Sequence, residues 1–232
     1  MPFDAHLAEY DTKLAAAPRA VASRVQQDPS FGLYRNVAKR GLDIALVLIS
    51  LAIVLPFVAV AALLVALDGH NPFYTQKRVG KDGKLFNMIK LRTMVPNAKE
   101  KLDDYLEQNP EARAEWDKNQ KLKNDPRITT IGRVLRKTSM DELPQLFNVL
   151  SGAMSLVGPR PMMPEQRPMY HGRGYYNLRP GLTGFWQISD RNNCQFADRV
   201  KYDEAYNRAV SLGTDVTVML RTVAVVIRGT GY

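Results

Sequence analysis

The chain has one cysteine, Cys194, in 232 residues. That excludes an internal disulfide and a cysteine-based zinc site. Its three histidines, His6, His70 and His171, are scattered and share no metal-ligand spacing. There is no glycine-rich phosphate loop of the Walker or dinucleotide type, and no internal repeat. Long strands do not alternate with helices, so a doubly wound nucleotide-binding fold is not expected. No secretory signal opens the chain: the first 38 residues are mixed and polar, and the apolar run comes too late for cleavage. Acidic residues are in short supply, 23 against 32 basic ones, which leaves a net charge of +9. Such an excess favours an anionic partner: nucleic acid, anionic lipid or a phosphorylated substrate. Nucleic acid is not expected, because the cations flank an apolar run and no groove-reading motif is present. The length suits one domain, or one domain plus appendages.

What the chain does have is a long stretch without charge. From Ile44 to Leu67 there are 24 residues whose only polar side chain is Ser50. As a straight helix the run would measure about 36 Å, against a hydrocarbon core of about 30 Å. It reads as a membrane segment; a buried helix of a soluble protein is the bland alternative. Pro56 interrupts it near the middle, and proline kinks a helix. Lys39 and Arg40 precede the run, and Lys77, Arg78, Lys81 and Lys84 follow it. Cations at both ends favour the cytoplasmic side for both. A re-entrant helix that bends at Pro56 satisfies this, and a single span does not. The backbone groups freed near Pro56 then need partners, with Ser50 a candidate.

Residues 1–38 read as an N-terminal tail. After the membrane segment, Phe73–Arg78 and Leu85–Leu91 predict two short strands around the turn Gly80-Lys-Asp-Gly83. The cations here fit a face on anionic lipid, with phosphate binding as the functional reading. Residues 95–126 are polar and split by Asn109-Pro110; helices over 97–108 and 111–123 fit a surface excursion. Residues 196–210 predict a charged helix. Thr214-Asp215 is expected to cap a last helix, Val216–Arg228, which either packs in the core or lies on the membrane plane.

The stretch Arg136-Lys-Thr-Ser-Met-Asp141-Glu142-Leu-Pro-Gln145 pairs two carboxylates with cations. Behind it, Leu143, Leu146, Phe147 and Leu150 recur at helical spacing. Pro144 suits a first helical turn, so Asp141 and Glu142 should stand at a helix N-terminus. Two readings stay open on local sequence: a capping box, Ser139-x-x-Glu142, or a reaction centre. Downstream, Gly158-Pro-Arg-Pro161 stiffens the backbone around Arg160, a good arrangement for holding phosphate, or an ordinary proline-rich loop. Gly181 and Gly184 mark tight backbone, and Trp186 and Gln187 either line a pocket or belong to a structural turn. Carboxylates beside phosphate-binding cations make sense if a divalent cation bridges them, or if one carboxylate attacks phosphorus.

Six runs in this order resemble the bacterial sugar transferases of the monotopic phosphoglycosyl transferase superfamily. They are Lys39-Arg40-x-x-Asp43, Phe73-x-x-Gln76-x-Arg78-x-Gly80, Lys90-x-Arg92-Thr93-Met94, Arg136-x-x-Ser139-x-Asp141-Glu142-Leu-Pro-Gln-Leu-Phe-Asn148, Gly158-Pro-Arg-Pro161 and Arg179-Pro-Gly-Leu-Thr-Gly184-x-x-Gln187. The chain is most similar to short members that start exopolysaccharide synthesis with galactose- or glucose-1-phosphate. Larger relatives carry extra membrane helices and a further soluble domain, which this sequence does not show.

The resemblance implies a fold that is mainly α with a small β-hairpin: a membrane-associated α+β chain with a re-entrant membrane helix hairpin over 39–70, amphipathic interfacial helices and a cytoplasmic catalytic domain over 71–232. It implies transfer of a hexose 1-phosphate from a UDP-sugar to undecaprenyl phosphate at the inner membrane of a bacterium, with Mg²⁺ as cofactor. Asp141 would be the nucleophile and Glu142 the metal ligand. Arg136, Arg160, Lys90, Arg92, Gln187 and Arg191 would bind substrate, and Pro56 would be the membrane hinge. The family has a Ser-Pro pair at the bend; here Leu55 precedes Pro56. The alternative is a non-catalytic, membrane-anchored basic interaction protein.

Overall fold

The computed structural model describes residues 32–119, 122–189 and 196–227. Arg191 and most of the N-terminal tail lie outside them.

The charge-free run becomes one 28-residue helix, α1 (Lys39–Ala66), entered through a π-helical turn, Tyr34–Ala38. Leu, Ala and Val dominate it, and a helix satisfies its backbone within the segment, the condition lipid imposes. Pro56 lies inside it. Ser50 does not serve the proline: its hydroxyl donates to the carbonyl of Val47, one turn back. Only 17% of the most apolar stretch is buried. Leu48, Ile49, Ile53, Phe57, Val60, Leu63 and Leu67 are exposed. A core helix of a soluble protein would hide most of these side chains, so this surface is built for lipid rather than water.

Both ends of α1 are tied to the same body. At the start, Lys39 Nζ lies 2.6 Å from Asp215 Oδ2. Asp43 accepts hydrogen bonds from the Ser155 hydroxyl and the Leu156 amide, and Arg40 donates to the carbonyls of Val149 and Leu150. At the far end, Arg92 donates to the Asp68 carboxylate and to the Val65 carbonyl. Between these ties the inner side of α1 fills two apolar clusters. Val47 packs with Met88, Leu146, Val149 and Met154; Ala61, Ala62 and Val65 pack with Leu91 and Leu135.

The hairpin forms as the sequence predicts. Strands β1 (Phe73–Val79) and β2 (Leu85–Leu91) pair antiparallel, from Phe73 opposite Leu91 to Val79 opposite Leu85. Asp82 and Gly83 take positive φ in the turn, where a residue without Cβ is at no disadvantage. The outer edge of β2 is met by a side chain: Asn148 accepts from the Ile89 amide and donates to the Asn87 carbonyl. In the excursion, α2 (Ala98–Gln108) and α3 (Pro110–Asn119) share a small core of Leu102, Leu106 and Leu122 with Trp116. Pro110 starts α3, where its missing N–H costs nothing.

Helix α4 (Thr130–Lys137) leads through the acidic pair into α5 (Leu146–Leu150). A second sheet, which the sequence did not reveal, joins β3 (Ser155–Val157) to β4 (Gly181–Thr183) in parallel. It lays the Gly158–Pro161 loop against the Gly181–Gly184 run. A Cβ on Gly181 would fall onto the Gly158 backbone, so both glycines are needed for this approach.

Helices α6 (Arg199–Ala209) and α7 (Leu212–Ile227) close the described chain. Here an expectation is corrected. Asp215 is not a cap; Ser211 plays that part, its hydroxyl accepting from the Thr214 amide. Asp215 lies within α7, 1% exposed, bonded by Lys39, Tyr34 and Tyr206. The inner side of α7 places Val218 in a cluster with Val157, Leu178 and Tyr206. Its outer side leaves Leu212, Val216, Leu220, Val223 and Val226 exposed.

Candidate active site

Asp141 and Glu142 stand in a 3₁₀ segment, Met140–Gln145, between α4 and α5. Ser139, at φ 56°, breaks α4 just before them, and Pro144 is accommodated in the turn that follows. This is not the α-helical N-terminus expected from spacing. The 3₁₀ twist also shifts the apolar face: Pro144, Gln145, Leu146, Asn148 and Val149 turn inward, while Phe147 is 45% exposed. The capping box is not made. Ser139 forms no side-chain cap bond, and Glu142 instead reaches Lys90 Nζ at 2.8 Å and an Arg160 guanidinium nitrogen at 3.2 Å.

Three separate runs therefore meet at the pair. Lys90 comes from β2, on the same pleat face as Met88, and its ammonium is also 3.8 Å from Asp141. Arg160 comes from the loop after β3. Arg136, on α4, is held by a 2.8 Å bond from Nε to the Thr93 hydroxyl and acts on Asp141 through its charge. Burial pushes the Asp141 carboxyl above the ordinary carboxylate range. Lys90 pulls it down, Glu142 raises it further, and Arg136 and Arg160 oppose that rise.

A cavity of about 30 Å³ opens beside the pair, lined by Arg78, Met88, Lys90, Glu142, Gln145, Arg160, Pro161, Gly181 and Leu182. The loop bearing Arg160 is fixed from behind. Arg199 donates to the Arg160 carbonyl and Arg78 to that of Pro161. Met162 is held by Val79 and by the Tyr175 hydroxyl. The Arg199 guanidinium is packed 5.0 Å from the Phe196 ring centroid, with burial lowering its pKa. Arg78 is pushed down to about 10, by burial first and then by repulsion from Arg160 and Arg199.

The other expected residues are placed differently. Arg92 is engaged by Asp68, the Asn71 carbonyl and the Val65 carbonyl. It borders a wider groove of about 310 Å³ at the end of α1, with Leu64, Leu67 and Ile131, not the cavity at the acidic pair. Gln187 is 6% exposed, and neither amide atom has a partner; it lies beside Gly184, off that cavity. Sequence reasoning assigned no role to Asn148 or Arg199, and placed Arg78 only among the cations of a basic face with phosphate binding as one reading. Arg78 and Asn148 stood inside quoted motifs, which was the available signal; Arg199 had none.

No group of three His, Cys, Asp or Glu side chains capable of holding a metal exists among the described residues. Two adjacent carboxylates still suit Mg²⁺, which commonly takes one or two protein carboxylates and completes its shell with water and substrate phosphate.

The family model described as bacterial sugar transferase matches residues 34–229. The chain belongs to the bacterial sugar transferase family. It is 47% identical over 201 residues to an uncharacterized sugar transferase of Haemophilus influenzae, covering 86% of this chain and 43% of that protein. It is 46% identical over 195 residues to the undecaprenyl-phosphate galactose phosphotransferase of Salmonella typhimurium, 83% of this chain and 41% of that protein. It is 41% identical over 199 residues to the exopolysaccharide production protein ExoY of Rhizobium meliloti, 84% of this chain and 88% of that protein. The chain thus spans less than half the length of the first two relatives and most of the third. For this bacterial sugar transferase, Asp141, Glu142, Lys90 and Arg160 all fall within the matched region.

Proposed function

We propose that the chain transfers a hexose 1-phosphate, galactose or glucose, from a UDP-sugar to undecaprenyl phosphate and so begins exopolysaccharide repeat-unit assembly. The observation that carries this reading is Glu142 held by Lys90 and Arg160 beside the buried Asp141. In the first step an Asp141 carboxylate oxygen bonds to the β-phosphorus. The bond from that phosphorus to the bridging oxygen breaks, and UMP leaves with that oxygen and its electron pair. An oxygen of undecaprenyl phosphate then bonds to the same phosphorus. The acyl-phosphate P–O bond breaks, which restores the carboxylate and yields the lipid-linked diphosphosugar.

Phosphoryl transfer needs position and charge neutralisation more than covalent assistance. Lys90 and Arg160 supply fixed positive charge, and Arg136 adds to the field at Asp141. Mg²⁺, held by Glu142 and arriving with the diphosphate, would neutralise charge on the leaving group. The names of the relatives support the lipid acceptor and the sugar donor.

We infer that α1 is re-entrant and that the site faces the cytoplasm at the inner membrane. Support comes from the ties of Lys39, Asp43 and Arg92, which join both ends of α1 to one body, and from the cations at both ends. The exposed stripe of α7 fits an interfacial helix on that same face. Cysteines introduced before Lys39 and after His70 should label from one side; labelling from opposite sides would rule out re-entry. The activity is tested with purified protein, Mg²⁺ and a panel of UDP-sugars, scored for UMP release and for sugar label retained on protein before acceptor is added. Wild-type turnover by Asp141→Asn would refute the nucleophile assignment.

A further inference from the structure

We propose that Arg78 and Gln145 form an oxyanion subsite on the floor of the cavity beside the acidic pair, a place for one phosphate oxygen of a substrate. This rests on the function proposed above and specifies where a phosphate is held.

Gln145 is 2% exposed and its amide nitrogen has no hydrogen-bond partner. Arg78 spends its terminal nitrogens on the Pro161 carbonyl and on Gln76; its Nε–H is buried and unpartnered. Both residues line the same cavity. Buried polar groups are almost always satisfied, so two neighbouring donors without acceptors mark a place where an acceptor belongs. A carbonyl or hydroxyl could meet the geometry but not the charge. Arg78, Lys90 and Arg160 line the cavity with Glu142 as the only carboxylate. Arg78 forms no ion pair among the described residues, and its nearest charged neighbours include two more arginines. An acceptor that also carries negative charge relieves both deficits, and the volume admits about one oxygen-sized atom.

Arg78 thereby has two functions that share one side chain. Its terminal nitrogen fixes the Pro161 carbonyl, and so the neighbouring Arg160. Its Nε–H is left for the ligand. A lysine could carry the charge but not this division of donors. The oxygen comes either from the donor diphosphate or from the phosphate of the acceptor lipid, and the two sources are separable.

The test uses full-length protein in lipid nanodiscs with Mg²⁺, titrated calorimetrically with UDP in one arm and farnesyl phosphate in the other. Arg78→Gln and Gln145→Leu should each weaken one of these ligands at least tenfold. Arg78→Lys should fall between them and wild type, and Arg208→Gln, an exposed charge-matched control, should change neither. Loss in the UDP arm assigns the subsite to the donor, and loss in the farnesyl phosphate arm to the acceptor. If both variants are folded and bind both ligands as wild type does, or if wild type binds neither, the subsite does not exist. Should Arg78→Gln fail to fold, Gln145→Leu decides, because the nitrogen it removes has no partner in the fold. A tenfold loss of ligand in a protein that releases no UMP from any UDP-sugar would uphold the subsite and refute the activity.

Discussion

Two buried clusters of charge in this chain are made of the same materials and are closed differently. Where α1 begins, Lys39 meets Asp215, whose carboxylate also accepts from the hydroxyls of Tyr34 and Tyr206 at 2.7 and 2.6 Å. Every oxygen of Asp215 has a donor. At the acidic pair, cations crowd Glu142 and Asp141, and nearby nitrogens of Arg78, Gln145 and Arg199 are left without acceptors. The first cluster is a fastener whose charges are matched inside the protein. The second is unfinished until something anionic arrives. A carboxylate's burial does not distinguish scaffold from chemistry; whether its surroundings balance without a ligand does.

The largest effect should come from Asp141→Asn, which keeps shape and hydrogen bonding while removing the nucleophile. UMP release should drop by at least about 10⁴-fold, with little change in thermal midpoint. Asp215→Ala should behave in the opposite way: breaking a buried pair costs about 3–5 kcal/mol, read as a lower melting temperature, with activity per folded molecule retained. Arg160→Ala should cost on the order of 10² in kcat/KM yet leave stability level or improved, since it removes a cation from a repulsive group. Comparable stability losses in Arg160→Ala and Asp215→Ala would erase the distinction.

The smallest effect concerns pH. Burial pushes the Asp203 carboxyl up to about 6, with Arg199 and the Tyr170 hydroxyl opposing the rise and Glu204 adding to it. A carboxyl whose folded pKa lies above its unfolded value binds its proton more tightly when folded. Its contribution to stability is therefore present below about pH 4 and lost as pH rises through about 6. The loss is at most about 3 kcal/mol, at about 1.4 kcal/mol per pH unit. Asp203→Asn should flatten the fall in melting temperature across that window, and an unchanged slope would reject the assignment.

Much of this was legible because it depends on neighbours in sequence. The membrane helix shows as an absence of charge, the β1–β2 hairpin as two short runs around Gly80 and Gly83, and the acidic pair as adjacent carboxylates among cations. What failed depended on distant partners or on a local period that was assumed. Phe147 was expected inside because an α-helical repeat was projected through residues that form a 3₁₀ turn. Asp215 read as a cap because nothing nearby revealed that Lys39, 176 residues away, would claim it. Arg92 stood in a motif with Lys90, two residues on and just past the end of β2, yet is spent on the end of α1. The parallel pairing of β3 with β4 joins strands of three residues each, too short to show a period.

Asn148 gives β2 two of the hydrogen bonds that a third strand would have supplied. A sheet edge is ordinarily an invitation to pair with another chain, and here one amide side chain withdraws it beside the acidic pair. Strand addition is thereby opposed at Asn87 and Ile89, on the strand that also carries Lys90.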